Sequence, residues 1–553
     1  MIDLVSIFPF TIAAICGAVL LVQLFKRLPL AGRSHLPTDE DIWQAFANLS
    51  KRTDIWQPAV RAVRDPKKPE YARLLYAGAG LGNDCVLLHK YLPVSVIAQH
   101  GFVGGAPGSG KTSRINLPLC QQWIGLQENL PLIVIDLKGD PLLFHGVREA
   151  ALARGRTFKW VTLSATHPSF VFNFFSDDLF DAFSTQQVAE ILLTAIGLLY
   201  GEDFGRGFYT ATNRAVLFAA LSINPRPRSF AELADRVIEI LVKKVHVAGH
   251  IPVPLREALG LAVVLSWAAN IAVLNVDHPE VAQADRDHAI TMSAVLEHGE
   301  VAYFYLPRMA SSISAPSLAR TALYAAVIAG LSRQNRNAPK RQAMALVDEA
   351  QHITSPEIKA ILEQARSLGI GTVLSCQTVE ALEKENQDLW PFVRECTAFQ
   401  FFLTVTGGKL AEYLTEVGGT YTYLRRSVSE QRGQYGPELS VGVSEEERFF
   451  WDANAFARVN AIPGLSIAYV KNSPEPTLFG DRPELVQTFH SLSRKRAQEL
   501  EARPWPKPPG GGGVYQRTPP PPPPPTPAAI TPPQVQLQNL VIQKQTRKRR
   551  KNP

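Results

Sequence analysis

The sequence predicts an α/β protein in which a parallel sheet is interrupted by a helical insertion. Three observations predict this class. A glycine-rich loop at 105–112 lies between a short apolar strand and a helix, further apolar runs alternate with helical patterns, and the run at 343–347 leads into two carboxylates. This alternation is typical of parallel sheets, because each parallel connection needs a crossover, which is usually a helix.

The composition allows several domains and an anionic partner. A chain of 553 residues with 46% hydrophobic content can form two or three domains with their own cores. The net charge of +7 is compatible with binding to nucleic acid or to a membrane surface. The five cysteines show no C-x-x-C pair and no metal-ligand spacing, so we expect neither a disulfide framework nor a zinc site, which suits a reducing cytosol.

The N-terminal segment predicts a membrane anchor at 1–27, followed by a juxtamembrane connector at 28–70. Residues 4–25 carry no charge over 22 positions. As a helix they would span about 33 Å, enough for the hydrocarbon core of a bilayer. Basic residues follow this run and only Asp3 precedes it, so we expect a single pass with the body in the cytoplasm. A cleaved signal peptide and a buried helix are the alternatives.

The body divides into a sheet domain at 71–177 and 288–475 and an all-α insertion at 178–287. Strands of the sheet are predicted at 94–97, 101–104, 132–135, 301–306, 343–347 and 372–376, with helices at 317–333 and 356–368. Helical patterns in the insertion lie at 187–198, 212–221, 230–245 and 255–276. The apolar stretch at 261–276 is short for a membrane span, so we interpret it as a buried helix.

Past 476 the sequence predicts a basic tail rich in proline and glycine, mostly disordered, at 476–553. After a helical stretch through Leu500 it contains prolines between 504 and 509, glycines at 510–513, a proline run at 519–525 and the basic cluster 547–551. Such a composition cannot bury an apolar core. The basic cluster is either a solubilising end or a nonspecific anchor for DNA, lipid or a partner.

The glycine-rich loop has the pattern G-x-x-x-x-G-K-[ST], which predicts a phosphate cradle. Its glycines let backbone N–H groups turn toward phosphates without a Cβ in the way, and the following helix adds the positive end of its dipole. Lys111 is expected on the β- and γ-phosphates, and the Thr112 hydroxyl on Mg²⁺. We therefore predict that ATP and Mg²⁺ bind here, with nucleotide contacts from Gly105, Ala106, Pro107, Gly108, Ser109, Gly110, Lys111, Thr112 and Ser113.

Four further side chains join Lys111 as candidates for catalysis of ATP hydrolysis. Asp348 and Glu349 end an apolar strand, so Asp348 is expected in the Mg²⁺ shell and Glu349 as the base that orients and deprotonates water. Gln377 ends the next strand and either contacts the γ-phosphate or the water, or only caps the strand. Arg366, at a helix end, is either an ordinary surface arginine or an arginine finger for a neighbouring subunit.

The order of these motifs resembles the TraG/TraD-type coupling proteins of type IV secretion and conjugation, within the wider FtsK/HerA group of ring translocases. The motifs are G-A-P-G-S-G-K-T, D-L-K-G-D, V-A-Y-F-Y-L-P, L-V-D-E-A-Q, A-R-S-L-G-I and L-S-C-Q-T, and the resemblance covers about 70–475. It implies a RecA-like P-loop NTPase domain with an inserted all-α domain, a bacterial inner-membrane anchor and a homohexamer around a DNA channel. It also implies ATP at 105–112, metal at Thr112 and Asp348, catalytic Glu349, trans-acting Arg366 and sensing Gln377.

The function implied by this resemblance is recruitment of a conjugative DNA–relaxase complex and its ATP-driven transfer toward a type IV secretion channel. Expected partners are single- or double-stranded DNA bound without sequence preference, a relaxase or other secreted protein, channel components and the membrane. Two alternatives stay open: a coupling ATPase for protein effectors, and a nucleotide-gated receptor or scaffold with little turnover. The chain departs from the family pattern in having one predicted span rather than two, and in F-N-F-F at 172–175, which lacks the usual Asn-Pro.

Overall fold

An eleven-stranded, mostly parallel sheet lies at the centre of the structure. In this computed structural model, residues 39–514 are described, apart from 66, 83–84, 199–205, 249–257, 310–313, 355–356, 385–386, 434–435, 472–478 and 509–512. The strands are β1 (Leu74–Leu81), β2 (Leu87–Pro93), β3 (Gly101–Gly104), β4 (Leu132–Asp136), β5 (Phe158–Thr162), β6 (Val301–Tyr305), β7 (Ala343–Asp348), β8 (Ile370–Cys376), β9 (Glu383–Lys384), β10 (Gln387–Asp388), β11 (Phe399–Phe402), β12 (Thr420–Gly433), β13 (Gly436–Phe449), β14 (Leu465–Val470) and β15 (Glu484–Gln487). Their order in the main sheet is β2-β1-β15-β14-β11-β3-β8-β7-β4-β6-β5.

Seven neighbouring strands, from β11 to β5 in that order, run parallel. Strands β4, β7 and β8 are buried along their whole length, as expected for strands with helices on both faces. The predicted strands at 101–104, 132–135, 301–306, 343–347 and 372–376 are all present, with ends that differ by at most two residues. The α/β class with a large, mostly parallel sheet is therefore confirmed.

The helices lie on both faces of the sheet and in the insertion. They are α1 (Asp39–Leu49), α2 (Trp56–Val63), α3 (Val94–Ile97), α4 (Leu117–Ile124), α5 (Pro141–Ala153), α6 (Asp177–Ala182), α7 (Thr185–Ala195), α8 (Arg206–Leu221), α9 (Phe230–Ala248), α10 (Leu259–Ala269), α11 (Gln283–Asp287), α12 (Met292–His298), α13 (Ser314–Asn335), α14 (Glu357–Ser367), α15 (Trp390–Cys396), α16 (Gly408–Gly418), α17 (Ala453–Ala461) and α18 (Arg494–Glu501). The connections from β3 to β4 through α4 and from β4 to β5 through α5 both lead along the sheet toward β5. The connections from β6 to β7 through α13 and from β7 to β8 through α14 lead in the opposite direction. Because parallel crossovers are right-handed, the two pairs cover opposite faces.

Two regions differ from the sequence-based predictions. Val94–Ile97, predicted as a strand, is the single helical turn α3. A run of four apolar residues is suited to burial in either conformation, and Pro93, at the end of β2, begins the turn. The second difference is an antiparallel edge, formed by β14, β15, β1 and β2, which the sequence analysis did not predict.

The described elements between α6 and α12 are all helical. Phe174 and Phe175 precede this region and pack on Phe230, with ring centroids 6.0 and 4.9 Å apart. The apolar stretch that we interpreted as a buried helix is buried on one side only: Leu261 and Leu265 are fully buried, but Val263 and Trp267 are 69% and 43% exposed. One face of α10 therefore belongs to the core and the other does not.

Part of the predicted connector and part of the predicted tail lie in the folded body. In α2, Trp56 packs 5.6 Å from the ring of Tyr76 on β1. Within the region predicted as a disordered tail, β15 is a strand of the main sheet and α18 packs on α5. The helical stretch expected through Leu500 corresponds to α18. The proline and glycine content beyond 504 concealed β15, because it dominates the average composition of the whole segment.

We call residues 493–508, together with 513–514, the C-terminal strap. Its Trp505 ring stacks on Phe144 of α5 at 4.0 Å and on His167 at 4.4 Å. At its end, Ser169 and Val514 exchange two backbone hydrogen bonds of 2.9 Å. The strap is therefore held against α5 and the segment after β5.

No helix among the described residues is long and apolar enough to cross a bilayer. The predicted anchor at 1–27 lies outside the described residues. Cys120, Cys376 and Cys396 are free thiols.

Candidate nucleotide site

The glycine-rich loop connects β3 to α4 at the carboxyl edge of the sheet. Gly108 and Gly110 have φ values of +81° and +94°, in the left-handed region that side chains rarely adopt. A Cβ at Gly110 would also lie 2.8 Å from Cδ of Arg114. After the loop, Lys111–Asn116 forms a π-helical turn before α4. The loop thus has the backbone conformation that a phosphate cradle requires.

A cavity of about 710 Å³ opens in front of the loop. Seven of the nine loop residues predicted to contact nucleotide line it, namely Ala106, Pro107, Gly108, Gly110, Lys111, Thr112 and Ser113. Gly105 and Ser109 lie behind them, and the Ser109 hydroxyl is buried without a hydrogen-bond partner among the described residues. Glu349 and Gln377 line the same cavity. The fold therefore brings residues from β3, β7 and β8 to one place.

Lys111 is buried and its ammonium donates a hydrogen bond to the Gly105 carbonyl at the start of the loop. Burial lowers the pKa of Lys111, while the carboxylates of Glu349 and Asp348 act to raise it. The ammonium is therefore held by its own loop, next to the two carboxylates that the sequence singled out.

Asp348 is almost fully buried at the end of β7, beside its register partner Asp136 on β4. Asn116 Nδ2 donates to Asp348 Oδ1 at 3.2 Å and to Ser375 Oγ at 3.1 Å. Burial raises the pKa of Asp348, and the neighbouring Glu349 adds to this. Its second oxygen, Oδ2, is buried with no hydrogen-bond partner in the described part of the chain. An unpartnered carboxylate oxygen of this kind fits a cation.

The residues present fit Mg²⁺ better than a metal that requires an all-protein cage. Within the described ranges, no group of three or more His, Cys, Asp or Glu side chains could hold a metal ion. Mg²⁺ usually keeps several waters and takes one or two protein ligands together with substrate phosphates. Thr112 and Asp348 would be those two ligands.

Glu349 is the first residue after β7 and has a φ of +59°. This conformation costs about 1 kcal/mol for a residue with a side chain. Its carboxylate accepts hydrogen bonds from Gln377 Nε2 at 2.9 Å and from Gln351 Nε2. Glu349 is 6% exposed and lines the cavity. The left-handed backbone therefore coincides with a carboxylate that two amides hold in place. Gln351 was missed by the sequence analysis, although it lies two residues beyond Glu349.

The turn after β4 is built around Asp136, which the sequence analysis did not assign a role. Its carboxylate accepts the backbone N–H groups of Lys138, Gly139 and Asp140 at 2.7–3.1 Å, and the Tyr303 hydroxyl at 2.8 Å. Burial raises the pKa of Asp136, and the Asp348 carboxylate adds to this. The D-L-K-G-D motif could have indicated this role of Asp136, because a short turn that starts with a buried aspartate needs such hydrogen bonds.

Arg366 does not approach the cavity of its own chain. It is exposed near the end of α14, just before the amino end of β8. The loop, Glu349 and Gln377 lie at the carboxyl ends of their strands, so the length of β8 separates them from Arg366. At the rise of a parallel strand this is about 20 Å.

The sequence analysis also missed two groups around the loop. Arg308 and His352 line the cavity, and their side-chain nitrogens are 3.1 Å apart. Arg114, in the π-helical turn, donates to the Thr488 carbonyl at 2.9 Å, which attaches the start of α4 to the segment after β15. None of the three lies in a motif with a recognisable spacing, so sequence alone offered no signal.

Comparison with known proteins gives one match by sequence. Residues 342–449 match the family model described as the TraM recognition site of TraD and TraG. Over this segment, the chain is similar to TraD and TraG. The matched segment runs from the start of β7 to the end of β13 and contains Asp348, Glu349, Arg366 and Gln377. No curated protein matches the chain.

Several solved structures are similar to the chain at low identity. The conjugative coupling protein TrwBΔN70 in its unbound monoclinic form is 13% identical, with 78% of this chain and 90% of that chain covered and a TM-score of 0.45. TrwB in complex with the ATP analogue ADPNP is 14% identical, with 80% and 95% covered and a TM-score of 0.46. VirB4 of Thermoanaerobacter pseudethanolicus is 13% identical, with 76% and 98% covered and a TM-score of 0.43. Because these values are low, we base function on the geometry of the site itself.

Proposed function

We propose that the chain is a coupling ATPase of type IV secretion that binds ATP and Mg²⁺. One observation carries the ATPase part: Lys111, Glu349 and Gln377 meet at one cavity, in front of a loop with the backbone of a phosphate cradle. The match of residues 342–449 to a TraG/TraD family supports the coupling part.

In this proposal each side chain of the cavity has a separate task. The loop N–H groups and Lys111 bind phosphate oxygens, and Lys111 exchanges the Gly105 carbonyl for them. Glu349 accepts a proton from the attacking water, and Gln377 and Gln351 hold its carboxylate in position. Because Glu349 is 6% exposed, a carboxylate aimed into the cavity meets few competing bulk waters.

Thr112 and Asp348 would hold Mg²⁺. There Mg²⁺ would supply positive charge that neutralises the charge developing on the phosphate oxygens. The chain's own contribution is orientation: Asn116 fixes Oδ1 of Asp348, which leaves Oδ2 for the cation.

The proposed cargo is a conjugative DNA–relaxase complex, moved by a membrane-anchored homohexamer at the bacterial inner membrane. The match to a family described as a TraM recognition site supports a partner that belongs to conjugation. DNA would be bound through phosphates by basic side chains, without sequence preference. Protein effectors remain the alternative cargo, and a receptor or scaffold with little turnover is the alternative mechanism.

The test is ATP turnover by the full-length protein in detergent, with and without single- or double-stranded DNA. We expect turnover that Lys111→Ala and Glu349→Gln abolish, while Glu349→Gln still binds ATP. Stimulation by DNA would support DNA as the cargo, whereas turnover indifferent to DNA would favour protein effectors. Nucleotide binding with no turnover in the wild type would contradict the ATPase proposal and leave the scaffold.

We also propose that Arg366 completes the site of a neighbouring subunit. Its place at the amino edge of the sheet, away from its own cavity, supports this role. The test mixes Lys111→Ala subunits, which keep Arg366, with Arg366→Ala subunits, which keep the loop. Each variant alone should be inactive, and co-assembly should restore part of the turnover. No recovery in assemblies that contain both variants would contradict a trans role.

A further inference from the structure

Lys138 is a second lysine at the nucleotide cavity, and the proposed function leaves it without a role. It lies in the turn after β4 and lines the cavity together with Lys111, Glu349 and Gln377. Asp136 holds that turn through the backbone N–H groups of three successive residues. The position of the Lys138 backbone is therefore set by a buried carboxylate rather than by an open loop.

The Lys138 side chain can leave its present partner. Its ammonium donates to Asp140 Oδ2 at 2.7 Å, and the side chain is 51% exposed. Asp140 uses its other oxygen, Oδ1, to cap α5, where it accepts the N–H groups of Leu142 and Leu143. The helix cap therefore does not depend on the ion pair, and exposed ion pairs of this kind hold their partners weakly.

The order of the strands decides which phosphate Lys138 would meet. The loop with Lys111 follows β3, Glu349 follows β7, and Lys138 follows β4, which is the next strand beyond β7. Lys138 thus lies on the far side of Glu349 from the loop. The phosphate that faces Glu349 and its water is the terminal one, so it is also the one closest to Lys138.

We propose that Lys138 moves from Asp140 to the γ-phosphate of bound ATP and makes the site distinguish ATP from ADP. This inference rests on the proposed nucleotide site. ADP lacks the group that Lys138 would bind, so with ADP the lysine stays on Asp140. A charged hydrogen bond from Lys138 to the γ-phosphate inside the cavity favours ATP, whereas the backbone N–H groups of the loop bind the phosphates that both nucleotides share.

The experiment measures equilibrium binding of ADP and of a non-hydrolysable ATP analogue, each with Mg²⁺, to the full-length protein. The variants are Lys138→Ala and Lys138→Arg, with Lys243→Ala as the matched control. Lys243 is also an exposed lysine paired with a carboxylate, that of Glu239, but lies on α9. Lys138→Ala should lower the affinity for the ATP analogue about tenfold or more and leave the affinity for ADP unchanged, as expected for loss of one charged hydrogen bond. Lys138→Arg should retain most of the preference for the ATP analogue over ADP. Lys243→Ala should retain all of this preference.

Other outcomes overturn the inference in distinguishable ways. Unchanged affinities for both nucleotides in Lys138→Ala would exclude contact with the γ-phosphate. An equal loss of affinity for both nucleotides would show that Lys138 stabilises the turn rather than binding a phosphate. If the wild type binds neither nucleotide, the proposed function fails together with this inference.

Discussion

The side-chain amide of Gln377 donates a 2.9 Å hydrogen bond to the Glu349 carboxylate. The two residues follow different strands, β8 and β7, and lie 28 positions apart in the chain. The Gln377 amide has a second N–H donor and a carbonyl acceptor, so it can contact a phosphate or a water while it holds Glu349. A nucleotide that attracts this amide would therefore also change the surroundings of the carboxylate.

We predict that Gln377→Leu lowers ATP turnover by about tenfold to a hundredfold, a range typical for loss of one positioned polar group at a reacting centre. Leucine keeps the volume but cannot hold the carboxylate. Steady-state turnover and ADP affinity should be measured together, and ADP affinity should stay at the wild-type value. A fall in both would mean that Gln377 supports the fold of the cavity instead.

We predict that Asn116→Ala raises the Mg²⁺ concentration needed for nucleotide binding. The substitution removes the donor to Asp348 Oδ1, and with it a hydrogen bond that orients this buried carboxylate. Loss of a residue that orients a metal ligand typically costs about 10- to 100-fold in metal affinity. The measurement is a Mg²⁺ titration of ATP-analogue binding. An unchanged midpoint would show that Asp348 is positioned without Asn116.

We predict that acid destabilises the fold through His100. Thr372 N–H donates to His100 Nδ1 at 2.9 Å, so Nε2 carries the proton and donates to the Leu362 carbonyl at 2.7 Å. Burial lowers the pKa of His100 to about 4, and the positive charge of Arg366 contributes to the lowering. A proton on Nδ1 would oppose the Thr372 N–H, so the folded state requires the neutral ring.

The sign of the pH effect follows from the two states. As pH falls below about 6.5, the unfolded chain binds a proton on His100 and the folded chain does not, so folding free energy is lost between pH 6.5 and 4. At pH 5 the loss is about 2 kcal/mol. His145 and His490 have pKa values lowered to about 4 and add to it. Urea unfolding at pH 7.5 and 5 should show a smaller pH difference in His100→Gln; an equal difference would contradict the prediction.

We predict that Trp505→Ala lowers the free energy of unfolding by about 2 kcal/mol, because a half-buried aromatic ring is lost from its contacts. The ring stacks on Phe144 and His167, and its Nε1 donates to the Pro168 carbonyl at 3.1 Å. Trp267→Ala is the control, since Trp267 is 43% exposed on α10. It should change stability by no more than about 0.5 kcal/mol. Equal effects of the two substitutions would mean that the strap adds nothing.

The central strands could be predicted from the sequence because each is a continuous apolar run that ends in a polar residue. The same reasoning placed Asp348, Glu349 and Gln377 at one edge of the sheet, since strands that run parallel end together. It could not find Asn116, because an asparagine inside a helical turn has no pattern that reveals its partner. The contact of Asn116 with Asp348 spans 232 positions and depends on how α4 lies against β7.

The antiparallel edge was missed for a different reason. Strand β15 has only four residues and is only partly apolar. Its place between β1 and β14 comes from tertiary pairing, because short strands carry little signal of their own. Arg114 contacts the carbonyl of Thr488 just beyond β15, so this unpredicted edge helps to hold the loop that the sequence predicted most clearly.

The separation of Arg366 from Glu349 limits how copies of this chain can assemble. If Arg366 completes a neighbour's site, each copy contributes this arginine from the amino edge of its sheet. It accepts the arginine of another copy at the carboxyl edge, where its own nucleotide site lies. In a two-fold dimer both arginines and both sites would have to lie in one self-complementary interface, because each residue pair occurs there twice. In a head-to-tail series the two surfaces are different, and a rotation that closes the series into a ring leaves no unfilled end. In such a ring the direction of the strands gives every subunit a defined upstream and downstream neighbour.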